Sequence, residues 1–225
     1  MASSILNVRL DMLKVDDDFI TISIDKDTQK YKVQRALLTS ASPWFETALG
    51  ERFQEGQTRT LRFPGTSPDV VQAFIHWLFY RNLNAVFPCD RMQTNDVQTA
   101  YVQMTSVRLW IFGQEHLLPK LQNGAMRVLH DNITWAVLHL ATLKEAYQGS
   151  PECSVLRKRV MREYVMDYQD CSPEFEADEL DDFASVPGFF YDYGLETWKR
   201  KRVEGEGEKY HGVEAYLIDE ETYER

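Results

Sequence analysis

From Phe19 to Ile24 the chain alternates Ile20, Ile22 and Ile24 with Thr21 and Ser23, the period-two pattern of a half-buried strand rich in β-branched residues. The polar run Asp25-Lys26-Asp27-Thr28 turns the chain, and Tyr31 and Val33, two apart, suit the second arm of a hairpin. A third short strand is expected over Thr58 to Phe63, with Leu61 and Phe63 on one face. Upstream, Leu6, Val8, Leu10 and Met12 also alternate, while Leu6, Leu10 and Leu13 suit a helical stripe equally well. Both readings stay open for that segment.

Helix starts are marked by Ser-Pro, which occurs at Ser42-Pro43, Ser67-Pro68, Ser150-Pro151 and Ser172-Pro173. Serine accepts a hydrogen bond from a first-turn N–H, and proline at the first helical position lacks a donor that would otherwise be orphaned. All four are read as caps rather than as sites for proline-directed kinases. After Pro68, the spacing of Val70, Val71, Phe74, Ile75 and Leu78 predicts a broad, mostly buried helical ridge. Arg81 to Thr94 is polar, contains Pro88 and reads as a surface loop. Helical patterns follow over Asn95 to Gly113, Leu117 to Asp131 and Ile133 to Tyr147, with Asn123-Gly124 as a candidate break. Strands first and helices afterwards predict an α+β fold, a small sheet flanked by helices, rather than alternating βαβ units.

Composition narrows the class. With 44% apolar and 12% aromatic residues the chain can bury a core. Its longest apolar runs are a few residues, against the ~20 of a spanning helix, and its opening has no apolar signal-peptide core. Cys89, Cys153 and Cys171 form no C-x-x-C, so no disulfide framework or zinc cluster is expected. The expectation is a soluble protein of the cytoplasm, the nucleus or both.

The net charge of −10 sits at one end: Glu174 to Arg225 holds 16 acidic and 6 basic residues, and the rest of the chain balances to zero. Without a cationic surplus, direct nucleic-acid binding is disfavoured, and no membrane contact is expected. Lys199-Arg200-Lys201-Arg202 reads either as a nuclear-import run or as a solvated stretch balancing nearby acids. Pro173 to Phe183 is read as one more helix, and Phe189, Phe190, Tyr191, Tyr193 and Trp198 as a strip docking on the chain's own helices or on another protein. Glu204-Gly205-Glu206-Gly207-Glu208 is low in complexity, and Tyr216-Leu217-Ile218 is either a short linear motif or a few stray apolar residues at a chain end.

Catalytic patterns are missing: no G-x-G-x-x-G, G-x-x-x-x-G-K-[ST], H-E-x-x-H or G-x-S-x-G occurs. The five histidines (His76, His116, His130, His139, His211) make no ligand pair, and Asp16-Asp17-Asp18 lacks the further oxygens and glycine of a calcium loop. Cys153 meets only the helix-start condition of a cysteine nucleophile. No catalytic residue, metal or cofactor is expected.

The stretch Tyr31-Lys32-Val33-Gln34-Arg35-Ala36-Leu37-Leu38-Thr39-Ser40-Ala41-Ser42-Pro43-Trp44-Phe45 resembles the BTB/POZ signature, aromatic-x-apolar-His-basic-x-x-Leu-x-x-x-Ser-x-x-Phe. Phe53-Gln54-Glu55 is similar to the Phe-x-Glu after the second helix of that family, and Phe74 to Tyr80 to its aromatic-rich helix ending in Leu-x-Tyr. Gln34 stands where the family has histidine, so a charged role there is lost while an amide still hydrogen-bonds locally. The Trp77-Leu78-Phe79-Tyr80 ending and the helical extension are most similar to the fungal branch. The resemblance implies a BTB/POZ-like fold with a small, mostly antiparallel sheet and a C-terminal helical extension. The expected division is an N-terminal segment (1–16), the domain (17–132), the extension (133–185) and an acidic, partly disordered tail (186–225).

Tyr31, Val33, Leu37, Leu38 and Phe45 are expected to pack and Ser42 to cap. The implied function is protein–protein interaction, as a homodimerising scaffold or adaptor. Leu6, Val8, Leu10, Met12, Leu37 and Trp44 are the candidate dimer interface, the first four as a strand added to the sheet edge of the partner or as an ordinary intramolecular element. Family members also serve as substrate adaptors of cullin-type ubiquitin ligases through an apolar-x-Glu element. Here no glutamate lies between Gly56 and Gln114, and the equivalent loop, Asn82 to Ser106, has only Asp90 and Asp96 as acids. A cullin scaffold is therefore placed below plain scaffolding. Dimerisation of a transcriptional regulator is the other alternative.

Overall fold

The computed structural model describes residues 18–24, 29–87, 95–171, 181, 183–203 and 212–221. Two alternating runs pair first: β1 (Phe19–Ser23) and β2 (Lys30–Gln34) are antiparallel, with Ile20 opposite Val33 and Ile22 opposite Tyr31. Three short helices follow, α1 (Arg35–Thr39), α2 (Pro43–Ala48) and α3 (Gln54–Thr58). They carry the chain back to β3 (Thr60–Arg62), which lies parallel to β1 with Leu61 opposite Ile22. The sheet order is β2-β1-β3. Among the described residues the longer ladder, β1–β2, is antiparallel and the shorter, β1–β3, parallel, because the three-helix crossover returns the chain in the direction of β1.

Ile20, Ile22, Ile24, Val33 and Leu61 are buried on the face that meets α4 (Pro68–Tyr80) and α5 (Asp96–Glu115). In α4 the predicted ridge is buried at Val70, Val71, Phe74 and Leu78 and half-buried at Ile75, while Trp77, outside that ridge, is buried as well. Asn95 caps α5 by accepting from the Gln98 N–H at 2.9 Å, so the region between α4 and α5 ends there rather than at Ser106.

A three-residue connection folds α6 (Pro119–Ile133) back along α5. The approach is close enough that a Cβ on Gly113 would lie 2.8 Å from Gln122 Cγ. Asn123-Gly124 does not break α6; the helix continues, with Gly124 facing Leu83 and Trp77. Then come α7 (Leu140–Gly149), α8 (Val155–Cys171), α9 (Phe189–Val203) and a 3₁₀ turn, Val213–Tyr216. The helix expected over Ile133 to Tyr147 therefore begins later, after 134–139.

Two Ser-Pro pairs start helices, at Pro43 and Pro68, though only Ser42 makes the side-chain cap. Ser150 works the other way: it ends α7, its hydroxyl donating to the Ala146 carbonyl at 2.6 Å. Cys153 then turns the chain at φ 62, and Ser154 caps α8 by accepting from the Arg157 N–H at 3.2 Å. Ser172-Pro173, most of Pro173 to Phe183 and the 204–208 repeat lie outside the described residues. So do Leu6, Val8, Leu10 and Met12. No helix among the described residues is long and apolar enough to cross a membrane.

Candidate protein-interaction site

The signature residues act first as a frame. Gln34 precedes α1 in extended conformation and gives no side-chain cap. Arg35 binds both ends of the local structure: its N–H donates to the Asp18 carbonyl at 2.9 Å, and its Nη2 donates to the Leu49 carbonyl at 2.7 Å. Leu49 ends α2, so the cation sits on the exposed carbonyls of a helix C-terminus, where a positive charge is favoured. Asp18 Oδ2 lies 3.4 Å from Arg35 Nη1, a half-exposed pair that adds little by itself.

Ser42 does two things with one hydroxyl. It accepts from the Trp44 N–H at 3.0 Å and donates to the His116 carbonyl, the C-cap of α5, at 2.6 Å. That orients α2 so that Phe45 is fully buried and Trp44 half-buried. Phe45 stacks on Phe74 at 5.6 Å, and Trp44 meets the His116 ring edge-on at 4.5 Å. His116 stacks on Phe112 at 4.1 Å and shares its Nδ1 proton with the Phe112 carbonyl at 2.8 Å. Burial holds this imidazole below its ordinary value of 6.5, against the pull of that carbonyl. It therefore packs as a neutral ring.

Above this cluster lies a groove of about 410 Å³, lined by Pro43, Trp44, Thr47, Ala48, Phe53, Glu55 and Leu117. Phe53 precedes α3 and is 47% exposed, with Glu55 half-buried on the rim. Leu117 is held at φ 52, in the left-handed region, which costs a branched side chain about 1–2 kcal/mol. The lining is apolar, with one carboxylate and one hydroxyl.

Two signature residues, Phe53 and Glu55, thus meet the interface candidate Trp44 at one surface. Val33, Leu38 and Phe45 are core, Tyr31 packs at its edge, and Ser42 and Arg35 are ties. Leu37, expected at an interface, is 7% exposed and packs inside the chain. Leu117, expected as the first residue of a helix running to Asp131, instead lies before α6 at φ 52, because that helix starts at Pro119. Thr47 and Ala48 carry no signal in the sequence, and His116 shows there only as a histidine without metal company.

A larger concavity, about 570 Å³, lies between the 64–68 turn, α5 and α7. Its Arg108 and Glu145 form an ion pair, Nε to Oε1 at 2.7 Å. Among the described residues no group of three or more His, Cys, Asp or Glu side chains is placed to hold a metal. His76 bonds the Asn82 carbonyl through Nδ1 at 3.2 Å and stacks against Tyr80 at 4.6 Å.

The back of the molecule uses the aromatic residues near the C-terminus. Phe189 is buried against Phe183 (4.2 Å), Tyr147 (5.4 Å) and Tyr164 (6.0 Å), whereas Phe190, Tyr191 and Trp198 are exposed. The basic run forms the last turn of α9, with Arg202 over the Trp198 ring at 5.0 Å and Lys199 paired to Glu196 at 3.1 Å.

Residues 10–103 match the family model described as the BTB/POZ domain. No curated protein matches the chain. The matched span contains the three strands, α1 to α4 and the start of α5, which build the sheet and all of the groove lining except Leu117. With the α+β architecture and the ordered signature from Tyr31 to Glu55, residues 10–103 of this chain are a BTB/POZ domain, a protein–protein interaction module.

Proposed function

We propose that the chain is a non-catalytic interaction module that pairs with a second copy of itself across the α1–α3 face, as a homodimerising scaffold or adaptor. The observation that carries this reading is the groove. Two accessible aromatic rings, Trp44 on α2 and Phe53 just before α3, meet an apolar leucine held at positive φ. Interfaces concentrate their energy in buried aromatic anchors within apolar pockets, and strained backbone persists where the surroundings require it. The segment bearing Leu6, Val8, Leu10 and Met12 is the second element of the proposal. Among the described residues β2 and β3 are edge strands, so either offers unpaired backbone to an added strand. The reading of the chain as most similar to the fungal branch rests on the Trp77-Leu78-Phe79-Tyr80 sequence and the helical pattern that follows it.

Sedimentation velocity on the intact chain tests the reading. A dimer is expected, shifted to monomer by Trp44→Glu or Phe53→Glu and weakened by deleting residues 1–14. A monomeric wild-type chain, indifferent to that deletion, overturns it. Cullin recruitment ranks lower, because the anchoring glutamate is missing between Gly56 and Gln114. Stoichiometric capture of a purified cullin N-terminal domain would reverse that ranking. Service as the dimerisation module of a transcriptional regulator rests on Lys199 to Arg202, of which Lys199 and Arg202 are engaged within α9.

A further inference from the structure

The stretch around Tyr216, whose sequence left a linear motif and a stray chain end both open, is bound to the folded body as a short peptide is bound by a receptor. Asn123, 2% exposed in the middle of α6, turns its carboxamide onto one residue of that stretch: Nδ2 donates to the Ile218 carbonyl at 2.8 Å and Oδ1 accepts from the Ile218 N–H at 2.7 Å. A carboxamide that meets both polar groups of one residue reads main chain, whatever the side chain, as strand addition does. The same Nδ2 also reaches Glu220 Oε1 at 3.2 Å.

Two residues before Ile218, Tyr216 is 7% exposed in a pocket between α6 and α8. Its ring lies 6.4 Å from that of His130 and 5.6 Å beneath the Arg159 guanidinium. Arg159 is buried, donates from Nε to His130 Nδ1 at 2.9 Å and from Nη1 to Glu163 Oε2, and keeps a buried Nη2 without a hydrogen-bond partner. The segment itself is acidic: Glu214, Asp219, Glu220 and Glu221 flank the Tyr-Leu-Ile core. Within the stretch itself there is one turn of 3₁₀ helix and no strand pairing, so its placement comes from these contacts. It joins the end of α9 through the eight residues 204–211, which at full extension span about 28 Å.

We infer that the α6–α8 face, built on Asn123, His130 and Arg159, is a peptide-docking site for an aromatic-apolar-apolar-acidic segment, and that residues 213–220 of a second copy exchange with the chain's own. The second copy is the fitting partner because its segment makes every contact that the resident one makes, so exchange costs no interaction. This site lies apart from the Trp44–Phe53 groove and stands or falls independently of it.

Complementary full-length variants test the proposal. Ile218→Pro removes the N–H that Asn123 holds and leaves the site intact; Asn123→Ala removes the clamp and leaves the segment intact. In ¹⁵N-labelled Asn123→Ala protein, the Ile218 amide should exchange fast alone. It should slow by about tenfold, the worth of a backbone hydrogen bond, when unlabelled Ile218→Pro protein is added. An unchanged rate overturns the inference. A measurement on the unmodified chain guards against misfolded variants. Its Ile218 amide should exchange by local opening, faster than the core amides of α5. Exchange only at the global unfolding rate would make the segment an integral part of the core and overturn the proposal as well.

Discussion

Phe45 and Arg159 are both withdrawn from water, and by opposite means. Around Phe45 the contacts are ring on ring, with Phe63, Phe74 and Phe112 filling the space between sheet and helices, and the polar groups confined to Ser42 and His116 at helix ends. Around α8 the interior is charged. Arg157 donates to the Tyr147, Ser150 and Pro187 carbonyls, closing the turn after α7 against the start of α9, while Arg159 holds Glu163 and His130. Apolar burial stabilises in proportion to area, and a partial loss is a partial cost. A buried charge carries a desolvation cost that its partners must offset, so removing one partner strands the other.

The comparison can be broken from either side. The largest loss is expected from Phe45→Ala, about 3–5 kcal/mol by denaturant unfolding, because the rings around it cannot collapse into the space. Arg159→Met comes next, at about 3 kcal/mol, since it strands the Glu163 carboxylate. Adding Glu163→Leu to that variant should recover most of the loss. A double variant as unstable as the single one would mean that the ion pair is a net stabiliser and that the contrast drawn above is wrong. Ser42→Ala should cost about 1–2 kcal/mol, a helix cap and an interhelical bond together.

The smallest effect is pH-dependent. Burial holds the His116 and His130 imidazoles below their ordinary 6.5, helped at His130 by the Arg159 cation. The unfolded chain therefore takes up these protons first. Their contribution is full above pH 6.5 and falls as pH drops through that value towards the lowered native ones. Glu163 acts in the opposite sense: burial raises its carboxyl despite Arg159, so its contribution is lost as pH rises through the raised native value. In Glu163→Gln, with that opposition gone, the urea midpoint should drop between about pH 7.5 and 5.5; a flat profile would show that the two histidines gain no protection from burial.

Local pattern was legible wherever one periodicity ruled. Ile20, Ile22 and Ile24 alternate and form one buried row; the Val70 to Leu78 ridge is buried as spaced except at Ile75, which is half-buried. The Tyr31 to Phe45 run located the packing residues and the Ser42 cap. Ser150 failed because the dipeptide rule is blind to what precedes it: its hydroxyl is taken by α7 before α8 can use it. The parallel β1–β3 pairing was invisible because crossover direction is set by three helices, not by the strand residues. Phe53 and Glu55 belong to the signature and Trp44 is an interface candidate, but their meeting with Leu117 depends on a backbone angle that no leucine advertises. The site for Tyr216 was missed because its receptor residues, Asn123 and Arg159, are polar positions that a hydrophobic pattern assigns to solvent.

The hydroxyl that joins Ser42 to His116 carries a lesson about where this domain stops. The family match closes at residue 103, partway along a helix that runs on to Glu115. Yet Phe112 and His116, the rings against which Phe63 and Phe74 rest, come after that point. A polypeptide cut at the matched boundary would keep every recognisable hallmark and lose one wall of its own interior, so the unit that folds is longer than the unit that is recognised.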